Sequence, residues 1–163
     1  MKTVIGVMGP GAKDALDEDV LCAYEVGKMV ARTGSVLLCG GMSGVMEDSA
    51  RGAQEAGGVV VGIGPGTDKG EMNKHVDIPL LTGMGAGRNF MNVLSSDVLV
   101  FVSVRSPGTL SELAFAVQLN KPTIVIRGSA ELEAHMKEFK ADSLQFVDSL
   151  SDLETALKSI LPA

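Results

Sequence analysis

Cysteine and histidine are scarce in this sequence, and their positions limit the metal and redox chemistry that it can support. The 163 residues include two of each. Cys22 and Cys39 fall in a predicted helix and a predicted strand, which favours small buried hydrophobic side chains over a disulfide or a metal pair. His75 and His135 stand alone, without a cysteine or carboxylate at metal-ligand spacing. The sequence therefore predicts no metal site.

Several other signals are also missing. The chain has no G-x-S-x-G turn and no readable Ser-His-Asp or Cys-His arrangement, so no nucleophilic triad is predicted. No segment is apolar for long enough to cross a membrane, and the N-terminus lacks a basic region followed by an apolar run. These absences predict that the protein has no membrane partner and lies in the reducing cytoplasm.

The net charge of −6 argues against a nucleic-acid polymer as a partner, because polyanion binding needs basic surface. A small phosphorylated ligand stays possible, since a local group of backbone N–H donors can outweigh the global charge. Apolar residues make up 45% and charged residues 21%, an ordinary globular balance. The length suits one domain, and no internal repeat or linker divides residues 1–163.

Strand and helix patterns alternate along the chain. Apolar runs predict strands at 3–8, 35–39, 59–63, 76–81, 98–102, 123–126 and 144–147. Helical periodicity predicts helices at about 17–32, 44–56, 86–95, 110–119 and 130–139, with a last helix from about Ser151. Repeated βα units predict an α/β fold, a Rossmann-like, doubly wound parallel sheet flanked by helices in a single domain. The Gly-rich, charged segment 64–75 has no periodicity and is predicted to be a surface loop that could close as a lid.

Ligands of such sheets bind beyond the carboxyl ends of the strands, at a switch point in strand order. Four segments follow predicted strands or begin predicted helices at that edge, namely 8–13, 40–44, 83–88 and 103–109. They hold many of the 20 glycines, which suits tight turns that face a phosphate. Gly9-Pro10-Gly11 either approaches a nucleotide or is a plain βα turn, since it is not a G-x-G-x-x-G fingerprint.

The most informative segment is 105–122, which follows the buried strand predicted at 98–102. The chain breaks at Ser106-Pro107-Gly108 and opens a helix, which leaves free N–H groups and the positive end of the helix dipole for an anion. Glu112 lies one turn into this helix. Thr109 and Glu112 also fit a capping box, so both the ligand role and the capping role stay open.

Several motifs of this chain resemble the LOG family, also labelled lysine decarboxylase-like. Gly108-Thr109-Leu110-Ser111-Glu112 matches the second half of the family signature P-G-G-x-G-T-x-x-E. The segment 39–46 resembles its G-G-x-x-G-x-M turn, 87–91 its R-x-x-M segment, and Ser96-Asp97 the Ser-Asp before the next strand. The resemblance runs from about residue 3 to 126, and is greatest to a short bacterial branch that also resembles the molybdenum cofactor carrier proteins.

The resemblance implies a binder of a nucleotide or another phosphorylated, purine-like ligand. An enzyme of this kind hydrolyses the N-glycosidic bond of a nucleoside 5′-monophosphate to a free base and ribose 5-phosphate. The implied catalytic residues are Glu112 and Arg88, whose side chain orients the substrate and Glu112. The implied ligand-binding residues are Gly9, Pro10, Gly11, Gly40, Gly41, Met42, Gly44, Asn89, Arg105, Ser106, Pro107, Gly108 and Thr109.

The alternative implied by the same resemblance is a non-catalytic carrier or sensor of a phosphorylated ligand such as the molybdenum cofactor, held through phosphate and pterin. Lysine decarboxylation is not predicted, because nothing supports a pyridoxal-phosphate role for Lys121. No cofactor is predicted, and the expected partner is a small phosphorylated ligand, a nucleotide or a pterin-like molecule.

The chain departs from the family pattern at four positions. Val104, Arg105 and Ser106 replace the Pro-Gly-Gly of the signature, and Asn89 stands where many LOG enzymes carry lysine. A Cβ strains a residue at positive φ. The loop therefore has a different conformation, or Arg105 adds a charge to an altered anion site.

The helix predicted at 110–119 is apolar nearly all round. One apolar stripe is enough to cover a sheet, so the excess predicts a second buried face. Pairing of LOG relatives implies the same. We therefore expect a homo-oligomer, a dimer or a tetramer, that pairs through the helices predicted at 86–95 and 110–119.

Overall fold

The apolar runs of the sequence form the strands of one parallel sheet. The computed structural model describes residues 1–139 and 141–161. The strands are Val4–Met8 (β1), Val36–Cys39 (β2), Val59–Gly64 (β3), Ile78–Leu81 (β4), Val98–Val102 (β5), Thr123–Ile126 (β6) and Leu144–Val147 (β7). The α-helices are Asp17–Arg32 (α1), Val45–Glu55 (α2), Arg88–Leu94 (α3), Pro107–Gln118 (α4), Ala130–Lys137 (α5) and Leu150–Ile160 (α6).

Strand order in the sheet is β4-β3-β2-β1-β5-β6-β7, with every neighbouring pair parallel. Strands β2, β3 and β4 follow β1 in turn on one side of the sheet. The chain then crosses over, and β5 pairs with the other side of β1. Residues Ile5–Met8 of β1 therefore pair with Val98–Phe101 of β5. This is the switch point of a Rossmann-like sheet, and the predicted single-domain α/β fold is confirmed.

The two faces of the sheet have separate apolar cores. Alternate residues of β5 divide between them, since Val98, Val100 and Val102 face one core and Leu99 and Phe101 face the other. Side chains of α1, α2 and α6 cover the first core, and side chains of α3, α4 and α5 cover the second. Both faces of the sheet are thus buried, as the continuous apolar runs of the strands require.

Four helix starts differ from the sequence predictions by one to three residues, and two of these differences follow from serine caps. Helix α4 begins at Pro107 rather than at 110, because proline fits the first helical position and the Ser106 side chain caps the helix. Helix α6 begins at Leu150, capped by Ser149. In α4 and α6 the observed helix start is closer to the preceding strand than predicted. In α4 this places Gly108 and Thr109 in the first turn of the helix. In the described residues no helix is both long and apolar enough to span a membrane.

Candidate functional site

A polar cavity of about 100 Å³ lies at the switch point, beyond the carboxyl ends of β1 and β5. Three helices and one loop meet there. It is lined by Gly9, Gly11, Met46, Arg88, Asn89, Ser106, Gly108, Thr109 and Glu112. Eight of these nine residues were predicted as site residues from the sequence, and Met46 was not. A larger cavity of about 420 Å³ between α4 and α5 has an apolar lining and lies away from these polar groups.

The first turn of α4 forms one wall of the cavity. The Ser106 Oγ atom accepts a hydrogen bond from the Thr109 backbone N–H at 3.2 Å and lies 2.9 Å from Thr109 Oγ1. The cap is therefore Ser106, and the capping box formed by Thr109 and Glu112 is wrong. Glu112 does not reach back to Thr109, because its carboxyl group bonds Asn92 instead. Capping does not account for the carboxylate at position 112.

Arg88 begins α3 and is 8% exposed. Its Nη1 atom donates a hydrogen bond to Asn89 Oδ1 at 3.1 Å, whereas its buried Nε atom has no partner in the part of the chain that the structure describes. The Nη2 atom makes only a weak contact with the Met46 sulfur at 4.0 Å. Gly40 makes room for the guanidinium group, since a Cβ at that position would lie 2.5 Å from Nη1. A buried guanidinium with so few acceptors is poorly satisfied and available to an anionic ligand.

Glu112 lies on α4 opposite Arg88 and is 5% exposed. Its Oε1 atom accepts a hydrogen bond from Asn92 Nδ2 at 2.8 Å and lies 3.7 Å from Arg88 Nη1. Burial raises the pKa of Glu112 to about 7, and the Asn92 hydrogen bond and the Arg88 charge only partly oppose this effect. Burial likewise lowers the pKa of Arg88. The carboxyl group therefore changes its charge near neutral pH.

Asn92 holds the carboxyl group of Glu112 through a side-chain hydrogen bond. It is fully buried on α3, one turn after Arg88, and its Oδ1 atom has no partner among the described residues. The i, i+4 spacing from Arg88 is consistent with a shared helix face, but Asn92 was not predicted as a site residue. Asn89 reaches across to α4, where its Nδ2 atom donates to Ser111 Oγ at 3.1 Å. The two asparagines thus tie α3 to the start of α4.

The turns after β1 and before α2 pack directly against each other. The Val45 backbone N–H donates to the Pro10 carbonyl at 3.1 Å. Gly44 has a φ of +71°, and a Cβ there would lie 2.6 Å from the Ala12 nitrogen. Only glycine fits this backbone conformation and this close approach. Gly44 therefore fixes the turn that brings Gly9 and Gly11 to the cavity.

Gly41 and Met42 face away from the cavity and toward the segment after β3. Asn73 donates a backbone hydrogen bond to the Gly41 carbonyl at 2.8 Å and a side-chain hydrogen bond to the Met42 carbonyl at 2.8 Å. Neither residue lines the cavity. The turn after β2 thus positions the loop predicted at 64–75, which contains a short 3-10 helix at Lys69–Glu71.

Arg105 also lies outside the cavity. Its Nε atom lies 3.3 Å from Asp19 Oδ2 at the start of α1, and Arg127 Nε donates to the other oxygen of the same buried carboxylate at 2.9 Å. The left-handed residue of this loop is Ser103, with a φ of +58°, and not Arg105. The loop therefore has its own conformation, which resolves the two alternatives for Arg105, and its side chain adds no charge to the cavity.

No group of three or more histidine, cysteine or acidic side chains lies close enough together to hold a metal in residues 1–139 and 141–161. Cys22 and Cys39 are free thiols, and burial raises the pKa of each to about 11. Both cysteines pack in or against the core, as the sequence predicted.

The raised pKa of Glu112 predicts a pH-dependent stability. The folded state holds the Glu112 proton more tightly than the unfolded state, so this contribution is complete below about pH 4.5 and is lost as the pH rises through about 7. Glu112→Gln keeps the size and removes the titration. As the pH rises from 5 to 8, the unfolding free energy of wild type is expected to fall relative to that of the variant, by up to about 3 kcal/mol. Urea denaturation of both proteins at the two pH values measures the difference, and parallel pH curves would contradict it.

The fold and the cavity define a Rossmann-like α/β protein with a buried Arg-Glu-Asn group at the switch point. The sequence model of the family described as SLOG cluster4 matches residues 2–156 of this chain. The chain therefore belongs to the SLOG cluster4 family. The assignment agrees with the LOG-like motifs at the coarser level of the superfamily.

Three proteins are similar to this chain along most of its length. An uncharacterised protein of Archaeoglobus fulgidus is 43% identical over 135 residues, which are 79% of this chain and 87% of that protein. The molybdenum cofactor carrier protein of Chlamydomonas reinhardtii has a TM-score of 0.92 and 38% identity over 98% of both chains. The molybdenum cofactor binding protein of Rippkaea orientalis has a TM-score of 0.92 and 38% identity over 99% of both chains.

Proposed function

We propose that this protein is a carrier that binds a phosphorylated pterin, the molybdenum cofactor, through its phosphate group. The observation that carries the proposal is Arg88, a buried guanidinium beside the first turn of α4 with most of its donors unused. A phosphate at this position accepts hydrogen bonds from Arg88 and from the helix start together. The similarity to carriers and binders of this cofactor along nearly the whole chain supports the choice of ligand.

The size of the cavity indicates that only one part of the ligand lies inside it. A volume of about 100 Å³ is well below the ~300–1,000 Å³ of sites that enclose a drug-sized molecule. The cavity therefore takes the anionic end of the ligand. The heterocycle then lies outside this cavity.

Ligand-dependent stabilisation tests this function. We expect the molybdenum cofactor or a phosphorylated pterin at ~100 times its Kd to stabilise the protein by about 2.7 kcal/mol and to raise the Tm by about 5–10 °C. The same pterin without its phosphate is the control and is expected to give a much smaller shift. Equal shifts from both pterins would contradict phosphate recognition, and no shift from either would contradict the carrier function.

Hydrolysis of a nucleoside 5′-monophosphate is the second candidate, favoured by Arg88 and Glu112 lying side by side in a LOG-like motif. Water would add to C1′ of the ribose as the C1′–N bond breaks, and the base would leave with a proton. An ionised Glu112 would stabilise the oxocarbenium-like transition state, so Glu112→Gln would lower kcat more than it weakens binding. Release of adenine from AMP by wild type, lost in this variant, would favour the enzyme over the carrier.

We propose that the protein forms a dimer through α3 and α4. Phe90 and Leu94 of α3, Leu110 of α4 and Leu119 directly after α4 are between 36% and 50% exposed. The Phe90 ring packs edge-on against the Phe115 ring with centroids 5.2 Å apart, so an aromatic contact joins α3 to α4. An apolar surface that crosses two helices is characteristic of an interface.

Charge placed on this surface is expected to separate the subunits. We expect light scattering to give a dimer mass for wild type and a mass of 16.9 kDa for Leu94→Lys. Leu21 on α1 is the matched control, because it is 65% exposed on the other side of the sheet. Leu21→Lys should keep the wild-type mass, and a monomeric wild type at micromolar concentration would refute the dimer.

A further inference from the structure

The two oxygens of Glu112 have different surroundings. Oε1 accepts a hydrogen bond from Asn92 and lies near Arg88, whereas no donor in residues 1–139 and 141–161 reaches Oε2. Glu112 lines the cavity together with Gly108 and Thr109. The carboxyl group is therefore held from one side and open to the ligand on the other.

We propose that Glu112 binds the ligand's phosphate as a neutral carboxyl group, donating its proton from Oε2 to a phosphate oxygen. This inference rests on the proposed function, because it assumes that an oxyanion occupies the cavity. The site then selects an oxyanion whose oxygens accept hydrogen bonds. Glu112 thereby has a binding role in place of a catalytic one.

The charges of the site favour the neutral form. An ionised carboxylate and a fully ionised phosphate both only accept hydrogen bonds, so they repel each other in a buried cavity. Arg88 is the one cation that lines the cavity among the described residues, and its Nη1 atom is 3.7 Å from Glu112, too far for a hydrogen bond. A neutral Glu112 leaves the charge of Arg88 to the ligand and supplies one more donor.

The groups around Glu112 leave it as the site residue that titrates near neutral pH. Asn92 and Arg88 face it from α3, and Arg88 stays charged throughout. Cys39 faces it from β2, with a pKa that burial raises to about 11. Burial raises the pKa of Glu112 itself to about 7. Above this pH the free protein has lost the proton that the complex needs, so anion binding takes up one proton.

Sulfate is the probe, because it stays doubly ionised from pH 6 to 9 and adds no titration of its own. We expect wild-type affinity for sulfate to be nearly constant up to about pH 7 and to fall about tenfold for each pH unit above it. The affinity at pH 9 is then about 100-fold below that at pH 6. In Glu112→Gln the amide Nε2 donates at every pH, so its affinity should change by less than about threefold.

Two measurements keep the test independent of that variant's folding. Calorimetry of wild type at pH 8.5, in two buffers that differ in ionisation enthalpy, should show the uptake of about one proton for each sulfate bound. Glu138→Gln, which removes a carboxylate that is 74% exposed on the surface, should keep the wild-type pH profile.

The outcomes separate this inference from the proposed function. A wild-type affinity for sulfate that does not change between pH 6 and 9, or no proton uptake, overturns the neutral carboxyl group and leaves the anion site intact. An equal fall in Glu112→Gln also overturns it. Failure of sulfate to bind at any pH, in wild type and variant alike, contradicts the anion site itself.

Discussion

Arg88→Met is expected to weaken the binding of inorganic phosphate by about 100-fold at pH 6.5. The guanidinium group is buried, and Asn89 Oδ1 is the one oxygen that accepts its hydrogen bond among the described residues, so we expect a bound anion to be its partner. Loss of a desolvated charge opposite an anion costs far more than loss of an exposed one. Isothermal titration calorimetry at constant ionic strength measures the change.

The same substitution is expected to leave the fold intact. Methionine has a similar length and carries no charge, and replacement of a poorly paired buried charge by an apolar side chain is often neutral or stabilising. The Tm of the ligand-free variant should therefore equal or exceed that of wild type. Arg51→Met is the matched control, since Arg51 is a half-exposed arginine paired with Asp48 on α2. Wild-type phosphate affinity in Arg88→Met would contradict the proposed site.

Gly44→Ala is expected to lower the unfolding free energy by about 2–5 kcal/mol and the Tm by about 5–15 °C. The backbone at Gly44 has φ +71° and ψ −133°, a region that residues with a Cβ rarely adopt. A Cβ would also lie 2.6 Å from backbone atoms of Gly11 and Ala12. Relief of this clash moves the turn after β1 away from α2, so we also expect weaker phosphate binding. Differential scanning calorimetry and phosphate titration measure the two effects.

Gly57→Ala separates the clash from the backbone strain. Gly57 ends α2 with φ +78°, and no atom lies within 4 Å of a Cβ built there. Its substitution should cost only the left-handed backbone term, about 1–2 kcal/mol, and should leave phosphate affinity unchanged. Equal effects of the two alanines on stability and binding would show that the contact between Gly44 and the turn after β1 has no role.

Most of the fold follows from local patterns. Continuous apolar runs such as 98–102 are the mark of strands buried on both faces, and the helices between them oblige the strands to run parallel. The parts that differed are the ends of helices and strands, by one to three residues. The predicted start of α4 is three residues too late, because Ser106 was assigned to the loop before the helix and not to the helix cap.

Site residues were predictable from the sequence where they lie close together in the chain or directly after a strand. Gly9, Arg88, Gly108 and Glu112 were expected at one edge of the sheet, and the structure places them around one cavity. Gly41, Met42 and Arg105 were expected there too, but none of them lines the cavity. Sequence adjacency put Arg105 with the anion site, but the loop turns its side chain to the opposite side.

The sequence by itself determined the alternation of strands and helices, the edge of the sheet at which ligand groups gather, and the start of a helix suited to an anion. These follow from periodicity and turn chemistry, which act over a few residues. Only the tertiary structure decided that Asn92 holds Glu112, that Gly40 makes room for Arg88, and that Asp19 takes Arg105. Those pairs lie 20 to 86 residues apart in the chain, and burial, which sets the charge of Glu112, depends on how the whole sheet and its helices pack.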